Sequence, residues 1–350
     1  MSVIKQRYNS LDFIRALAAF CVVVNHSIGF LFSQTDLSKA GWYTRCFMYT
    51  FFTFGRLGVP FFMLLTGYLL FSRAYTYDQT IHFYKKNLLP LIITWEIWLL
   101  LYNIFLSYYN QSPFSFSTYI RNALFLQSLS LGHGWYIPMI IGTYIFLPIV
   151  STALHSLPKK LIISVCAVLF LYEFLVPSSN WLLPFLNQPT IVTQLDLSFG
   201  GGQYGLYFIL GYIFAKMSPS TCKKFQHRIF SFIIFVLFFL TVIIEMICVE
   251  GVWYNFFSLP IMSSLLFIRL KGIHLGNLLS FIQSLSLCSF GIYLLHYPLL
   301  MIFYRHLGTD CNPFIWSISL ALITYCIAFL LVYAISKFFH CGQILFLKKY

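Results

Sequence analysis

Residues 11–33 read LDFIRALAAFCVVVNHSIGFLFS, and most of their side chains are apolar. A run of this length can cross a bilayer as one helix, because a spanning helix needs about 20 predominantly apolar residues. The run is too long for the apolar part of a signal peptide, and no small-residue cleavage site follows it. The sequence therefore predicts that this helix stays in the membrane.

Runs of the same kind recur along the whole chain. They lie near residues 47–72, 89–109, 134–154, 161–177, 204–217, 229–248, 254–269, 283–303 and 314–336. The run at 204–217 is short, and the run at 283–303 contains several serines. The two longest connections, 110–133 and 178–203, leave no room for a soluble domain. We therefore expect an all-α integral membrane protein, in which residues 1–350 form one bundle of about ten transmembrane helices.

The composition supports the same class. Hydrophobic residues make up 59% of the chain and charged residues only 9%, with a mean hydropathy of +0.81. A soluble domain carries about 25% charged residues, so this chain has too little polar surface to cover itself in water. Its nine cysteines include no CxxC pair and mostly fall inside apolar runs. They are expected to be small buried hydrophobes rather than disulfides or metal ligands.

The net charge of +13 is explained by membrane topology. With ten spans and an inner N-terminus, sixteen of the 22 Lys and Arg residues fall in inner segments. Four fall in outer segments, namely Lys39, Arg45, Arg121 and Arg305. This bias is what the positive-inside rule predicts, with both termini in the cytoplasm. Because the charge is spread over six short segments, it does not form a nucleic-acid-binding stripe.

The first helix carries the most polar groups at membrane depth. Asp12 and Arg15 are three residues apart on one helical face and can pair. Arg15 and His26 are eleven residues apart, so they point the same way and lie about 16 Å apart along the axis. The alternative is that Arg15 reaches to lipid headgroups and His26 is an ordinary packing residue. Because burying polar groups is costly, the gathering of Asp12, Arg15, Asn25 and His26 favours a functional site.

Other polar residues fall at membrane depth or at its edge. Arg56, in the second run, needs a counter-ion or an aqueous cavity, and Glu96 could balance either Arg56 or Arg15, although a purely structural pair is an equal alternative. His133, Trp135 and Tyr136 open the fourth run, where aromatic residues usually anchor a helix at the interface. Tyr293 and His296 lie midway through the ninth run, and Lys85 and Lys86 precede the third. No soluble-enzyme motif is present, so the residues leave a transporter and an intramembrane enzyme both open.

Five segments resemble a known family. LDFIRALA at 11–18 with VNHS at 24–27, VPFFMLLTGY at 59–68, GWYI at 134–137, YFILGY at 207–212 and GIYLLHYP at 291–298 resemble, in order, elements of the membrane-bound acyltransferase 3 family. The resemblance covers nearly the whole chain. It implies a ten-span enzyme that moves an acyl group, usually acetyl, from cytoplasmic acyl-CoA to a hydroxyl of a surface polysaccharide or lipid-linked glycan. The compact length indicates the branch without an extra extracytoplasmic domain, located in the bacterial cytoplasmic membrane.

The resemblance also implies roles for particular residues. Arg15 and His26 match the family's functional positions in the first span. The family often has an Arg-x-x-Arg before the third span; this chain has Lys85 and Lys86 there instead. The cations at Arg15, Lys85 and Lys86 would hold the phosphates of acyl-CoA, and Asp12 would orient Arg15. His26 would act as general base or as the carrier of a transient acyl group.

The acceptor would bind near the outer face. The expected contacts are stacking on Trp135, Tyr136 and Tyr293, hydrogen bonds from His133 and His296, and the charges of Arg56 and Glu96. No metal and no permanently bound cofactor is expected; acyl-CoA is a substrate, and the remaining partners are the glycan and membrane lipids, with no nucleic acid. The competing interpretation is an exporter of polysaccharide or lipid-linked sugar without acyltransfer activity, and a receptor or scaffold ranks third.

Overall fold

The computed structural model describes residues 9–33, 35–307, 313–339 and 341–347, and ten helices dominate them. They are α1 (Asn9–Phe32), α2 (Trp42–Phe71), α3 (Tyr77–Tyr109), α4 (Tyr136–Ser156), α5 (Lys159–Ser179), α6 (Gly202–Ala215), α7 (Arg228–Cys248), α8 (Ser258–Leu270), α9 (Leu279–Leu307) and α10 (Pro313–Phe338). Short helices follow α3 at Phe116–Ala123, α6 at Pro219–Lys224 and α10 at Gly342–Phe346. The described residues form no strand, so the all-α membrane class is confirmed.

A helix lies at each of the ten apolar runs, and eight of those in the described chain are long and apolar enough to cross a membrane. The exceptions are α6 with 14 residues and α8 with 13. Both short helices end beside lysines, Lys216 and Lys271, so both end on the side where the positive-inside rule places basic residues. Compared with a spanning helix, α6 and α8 are therefore shortened at the opposite end, where each of them begins. We call the end where α1 begins the inner end and the end where it finishes the outer end.

Helix α1 occupies the middle of the bundle, packed against α2, α9 and α10. Small side chains permit this position, since Ala18, Ala19 and Val23 are almost completely buried. Helices at the periphery differ. On α7 the large side chains Phe232 and Phe235 are more than half exposed, as expected for a face that meets lipid.

Two glycines let α2 approach α1 closely. A Cβ on Gly55 would lie 2.6 Å from the backbone nitrogen of Asn25, and a Cβ on Gly58 would lie 2.7 Å from the carbonyl oxygen of Ala18. Small residues at such positions are the usual way in which membrane helices pack backbone to backbone. Between them, the α-helical run of α2 is interrupted at Leu57. The interruption has a cause in Pro60, which cannot donate a hydrogen bond to the carbonyl four residues earlier.

We expect Gly55→Ala to weaken the bundle, because the added methyl has no room against the backbone of α1. Overpacking typically costs about 1–3 kcal/mol, and here it also moves α2 away from α1. The measurement is the midpoint of thermal unfolding in detergent. The matched control is Gly142→Ala in α4, where a Cβ meets nothing within 4 Å; it should unfold at the wild-type temperature or slightly above it. Equal midpoints for the two variants would contradict this prediction.

The segment after α10 turns back into the bundle. The hydroxyl of Thr94 donates to the carbonyl of Ile344 (2.6 Å), and the indole of Trp98 donates to the carbonyl of Leu345 (2.9 Å). Phe346 is buried against Trp98. Hydrogen bonds between segments inside a membrane contribute about 0.6–2 kcal/mol each, so these contacts fix the short helix Gly342–Phe346 against α3.

Candidate functional site

A cavity with a volume of about 570 Å³ opens between the helices of the described chain. Its wall consists mainly of polar and aromatic residues from α1, α2, the turn before α4, α6 and the segment before α8: Asn25, His26, Gly29, Phe52, Arg56, Gly132, Trp135, Gln203, Tyr204, Trp253, Tyr254 and Asn255. A cavity of this size accommodates a ligand of a few sugar units or a small organic molecule.

The position of the cavity follows from the short helices. Gln203 and Tyr204 belong to the first turn of α6, and residues 253–255 immediately precede α8. Because α6 and α8 lack length at their outer ends, no helix fills that volume. The cavity therefore lies at the outer end of the bundle, where α1 finishes and α4 begins.

His26 faces this cavity and is partly exposed. Three aromatic rings surround its imidazole: Tyr297 at 5.1 Å, His296 at 5.2 Å and His133 at 6.4 Å between ring centroids. Two of these rings come from α9 and one from the turn before α4, so three parts of the chain meet at His26. The structure thus brings together His26, His133 and His296, which the sequence predicted as separate site residues.

The orientation of His133 is traced to a proline. Pro298 has no N–H, so the helix of α9 provides no donor for the carbonyl of Leu294, four residues earlier. The hydroxyl of Tyr102 donates to that carbonyl at 2.7 Å. Since its single proton is used there, Tyr102 accepts a hydrogen bond from Nε2 of His133 at 3.2 Å. His133 therefore carries its proton on Nε2 and leaves Nδ1 as a lone pair.

His296 is fixed in a similar way. Its Nδ1 lies 2.6 Å from the carbonyl of Tyr293, and a carbonyl only accepts, so the proton is on Nδ1. Nε2 of His296 and Nδ1 of His133 are buried and have no hydrogen-bond partner. Two imidazole lone pairs thus lie beside His26. No group of His, Cys, Asp and Glu among the described residues is arranged to hold a metal ion.

Arg56 forms the cationic part of the cavity wall. Its guanidinium carbon lies 4.5 Å from the ring centre of Phe52, 4.7 Å from Tyr254 and 5.6 Å from Trp253. Arg56 also lies within electrostatic range of His26. Cation–π contacts of this kind contribute about 0.5–2 kcal/mol, so the aromatic rings hold the cation in place. The sequence predicted that Arg56 needs a counter-ion or an aqueous cavity, and in the structure Arg56 lines a cavity.

The carboxylate near Arg56 is Glu245, and the sequence had suggested Glu96. Glu245 is completely buried on α7, where Oε1 accepts from the backbone N–H of Val252 at 2.8 Å and Oε2 accepts from the hydroxyl of Thr53. Glu96 is partly exposed on α3 and pairs with neither Arg56 nor Arg15 within the described chain. Glu245 anchors the segment that carries Trp253 and Tyr254, and its position as a lone acid within an apolar run was the available signal.

The predicted acceptor-binding aromatics divide into two groups. Trp135 lines the cavity and stacks on Tyr204, with ring centroids 5.6 Å apart. Tyr293 is buried behind the wall, where its hydroxyl donates to the carbonyl of His133, and Tyr136 packs against Tyr293 at 5.6 Å. The aromatic rings of this cavity wall are therefore Trp135, Tyr204 and Tyr254. Tyr204 begins α6 and Tyr254 precedes α8, and the sequence did not predict either as a site residue.

Arg15 lies toward the inner end of the same helix. Its guanidinium donates to Asp12 at 3.3 Å and to the hydroxyl of Ser286 at 3.0 Å, and Ser286 donates to Asp12 at 2.6 Å. The predicted pair of Asp12 and Arg15 is therefore present, with Ser286 of α9 as an additional member. About a third of the Arg15 side chain remains exposed, which leaves it able to contact an anion.

Lys85 and Lys86 are exposed on a wide, π-helical turn of α3. The neighbouring Tyr84 donates to the carbonyl of Ile145 on α4 at 2.7 Å. The preceding residue of α4, Tyr144, lies within electrostatic range of both Arg15 and Arg73. Lys85 and Lys86 make no contact with Arg15 among the described residues. Arg73 is a further exposed cation in this region, which the sequence analysis counted only among the basic residues of the inner segments.

The fold and the cavity define a class: an integral membrane protein of many spans that holds a partly exposed imidazole inside an aromatic, polar cavity. A family model described as an acyltransferase domain matches residues 8–338, nearly the whole chain. The chain belongs to the acyltransferase 3 family, and the resemblance read from its motifs is confirmed. It is accordingly a membrane acyltransferase. Comparisons with curated proteins and with solved structures found no match.

Proposed function

We propose that the protein is an O-acyltransferase that moves an acyl group, usually acetyl, from cytoplasmic acyl-CoA to a hydroxyl of a surface polysaccharide or lipid-linked glycan. The observation that carries the proposal is the position of His26. Its imidazole reaches an outer cavity with a stacking wall, while Arg15 of the same helix presents a cation toward the inner end. One helix therefore offers a group for the acceptor and a group for the donor.

In the proposed reaction, His26 acts as the general base. Its free nitrogen takes the proton of the acceptor hydroxyl as the oxygen attacks the thioester carbonyl. The tetrahedral intermediate collapses with cleavage of the C–S bond, and the departing thiolate receives the proton from His26. The products are the O-acyl ester and free CoA, and the imidazole returns to its neutral form. A transient acyl-imidazole on His26 is the other route, in which the same atoms are transferred in two steps.

His296 and His133 serve as positioning residues in this proposal. When His26 becomes protonated it carries two N–H donors. The unpartnered lone pair of His296 Nε2, on a ring 5.2 Å away between centroids, supplies an acceptor for the second donor. Because both neighbouring tautomers are set by Tyr102 and by the Tyr293 carbonyl, the imidazoles offer lone pairs rather than competing protons to His26.

The acyl-CoA donor is proposed to bind through its charged phosphates. We infer that Arg15, assisted by Lys85 and Lys86, holds the phosphates of acyl-CoA at the inner end, as guanidinium and ammonium groups hold polyanions. Arg15 and His26 are about 16 Å apart along α1, and the pantetheine arm bridges this separation. The proposed location is the bacterial cytoplasmic membrane with both termini inside, since the Lys and Arg bias orients the chain in that way.

The test is transfer of label from acetyl-CoA to glycan. Membranes that contain the protein and its native glycans are incubated with radiolabelled acetyl-CoA, and label released from glycan by mild alkali is counted. We expect alkali-labile label that depends on the protein and rises with its amount. An exporter would leave the label unchanged and alter where glycan accumulates, and a receptor or scaffold would change neither. Absence of protein-dependent label under these conditions would reject acyl transfer to glycan.

A further inference from the structure

The cavity contains a guanidinium, that of Arg56, which no carboxylate of the described residues contacts directly. Arg56 makes no hydrogen bond and no ion pair with the described residues, and its buried Nε has no partner. Glu245 lies nearby, but both of its oxygens already accept hydrogen bonds from Thr53 and Val252. A charge inside the protein is costly unless it is paired and hydrogen-bonded. The guanidinium therefore has donors available for an anion from outside the chain.

A second, independent group points into the same cavity. Asn25 is 5% exposed, lies on the cavity wall, and its Nδ2 has no hydrogen-bond partner. Buried amide groups in proteins are almost always hydrogen-bonded, so this donor is also available to an acceptor from outside the chain. The amides of Gln203 and Asn255 line the same wall. The polar groups of the cavity are thus rich in donors, whereas carboxylates are absent from its lining.

We propose that the cavity binds an acidic glycan, in which a carboxylate or phosphate group of the acceptor sits on Arg56 and its sugar ring stacks on Trp135 and Tyr254. The proposal rests on the proposed function and names its substrate class. The bidentate donors of a guanidinium match the planar oxygens of carboxylates and the oxygens of phosphates. Stacked aromatic rings and unpaired amide donors suit the faces and hydroxyls of a sugar.

The location of Arg56 favours the acceptor over the donor as its ligand. Two of the three rings that hold the guanidinium, Trp253 and Tyr254, belong to the segment before α8 at the outer end. The donor phosphates are assigned to Arg15 at the inner end. A second possible role, stabilising the oxyanion of the tetrahedral intermediate, would affect every acceptor equally. An anion site affects only acidic acceptors, and this difference decides the test.

The experiment measures binding by tryptophan fluorescence, since Trp135 and Trp253 line the cavity. Purified protein in lipid nanodiscs is titrated with short oligosaccharides that end in glucuronic acid, in glucose phosphate or in glucose. We expect the acidic probes to bind about 30-fold more tightly than the neutral one, and the better of the two acidic probes identifies carboxylate or phosphate as the natural group. In Arg56→Gln all three probes should bind with the affinity of the neutral one.

The control is Arg305→Gln. Arg305 also lies over an aromatic ring, with its guanidinium carbon 4.8 Å from the centre of Tyr109, and belongs to an outer segment, but it is not part of the cavity lining. This variant should keep the wild-type preference for acidic probes. Arg56→Lys, which retains the charge, should keep part of the preference and guards against loss of folding in Arg56→Gln.

Three outcomes overturn the proposal. The first is equal binding of charged and neutral probes by the wild type. The second is a preference for acidic probes that survives in Arg56→Gln. The third is an Arg56→Gln variant that binds every probe as the wild type does but has a lower kcat with every acceptor. Failure of the proposed function looks different. A protein that prefers acidic probes but transfers no label from acetyl-CoA to glycan refutes acyl transfer and retains the anion site. A protein that transfers label to glycan but shows no preference for acidic probes supports acyl transfer and refutes the anion site.

Discussion

Replacing His26 by alanine is expected to reduce acyl transfer by at least about 10³-fold, because both routes for the reaction pass through this imidazole. General-base catalysis contributes about 10²–10⁴-fold, and the acyl-imidazole route cannot begin without the ring. His26 is partly exposed in its cavity, so truncation to alanine enlarges a space that already exists. We therefore expect the variant to fold and to reach the membrane in wild-type amounts.

The measurement is the initial rate of alkali-labile label appearing in glycan, normalised to the amount of protein. The control is His274→Ala, since His274 is exposed in the connection between α8 and α9 and should leave the rate unchanged. Trapping of label on the protein separates the two routes, because only an acyl-imidazole gives a labelled chain before the acceptor is added. Full activity of His26→Ala would exclude both routes at once.

The sequence predicts the relative placement of the candidate residues that lie on one helix. Asp12, Arg15 and His26 belong to α1, and helical periodicity puts residues three and eleven apart on the same side. The structure agrees for Asp12 and Arg15, which are in hydrogen-bond contact. Local geometry needs only the rise and turn of the helix, so it can be read before any tertiary structure is known.

The rest of the site depends on contacts between residues far apart in the chain. Tyr102 meets His133 because Pro298, nearly two hundred residues away from Tyr102, frees a carbonyl on α9. Nothing in the sequence around Tyr102 distinguishes it from the other tyrosines of an aromatic-rich chain. The same applies to Tyr204 and Tyr254, which reach the cavity only because α6 and α8 are short.

The suggestion of Glu96 as a counter-ion shows how depth along a helix can mislead. Glu96 lies well inside an apolar run, yet its side chain is partly exposed and pairs with no described cation. Glu245 is near the end of its run, but it is completely buried because Thr53 of α2 and Val252 of the following segment enclose it. The depth of a residue in the membrane and its burial in the protein are separate properties, and a sequence indicates mainly the depth.

Arg15→Ala should raise the KM for acetyl-CoA by about 10-fold or more, since a hydrogen bond to a charged group contributes about 1.5–3 kcal/mol. The wild-type guanidinium is held by Asp12 and Ser286, so it meets the phosphates without first losing much side-chain freedom. Asp12→Asn, which keeps the shape of that network but weakens its charge, is expected to raise KM by a smaller factor.

A donor without phosphates separates this role from a structural one. S-acetyl-pantetheine carries the thioester and the arm but lacks the nucleotide, so wild type and Arg15→Ala should use it equally poorly if Arg15 acts on the phosphates. Lys159→Ala, which removes an exposed charge at the beginning of α5, tests for a general effect of inner-end charge and should leave both donors unaffected. A loss in Arg15→Ala that is equally large with S-acetyl-pantetheine would show that Arg15 supports the fold of α1 and α9 instead. Because the two donors share the thioester and the pantetheine arm, the ratio of their KM changes assigns the contact to the nucleotide, whose phosphates are the groups that attract a guanidinium.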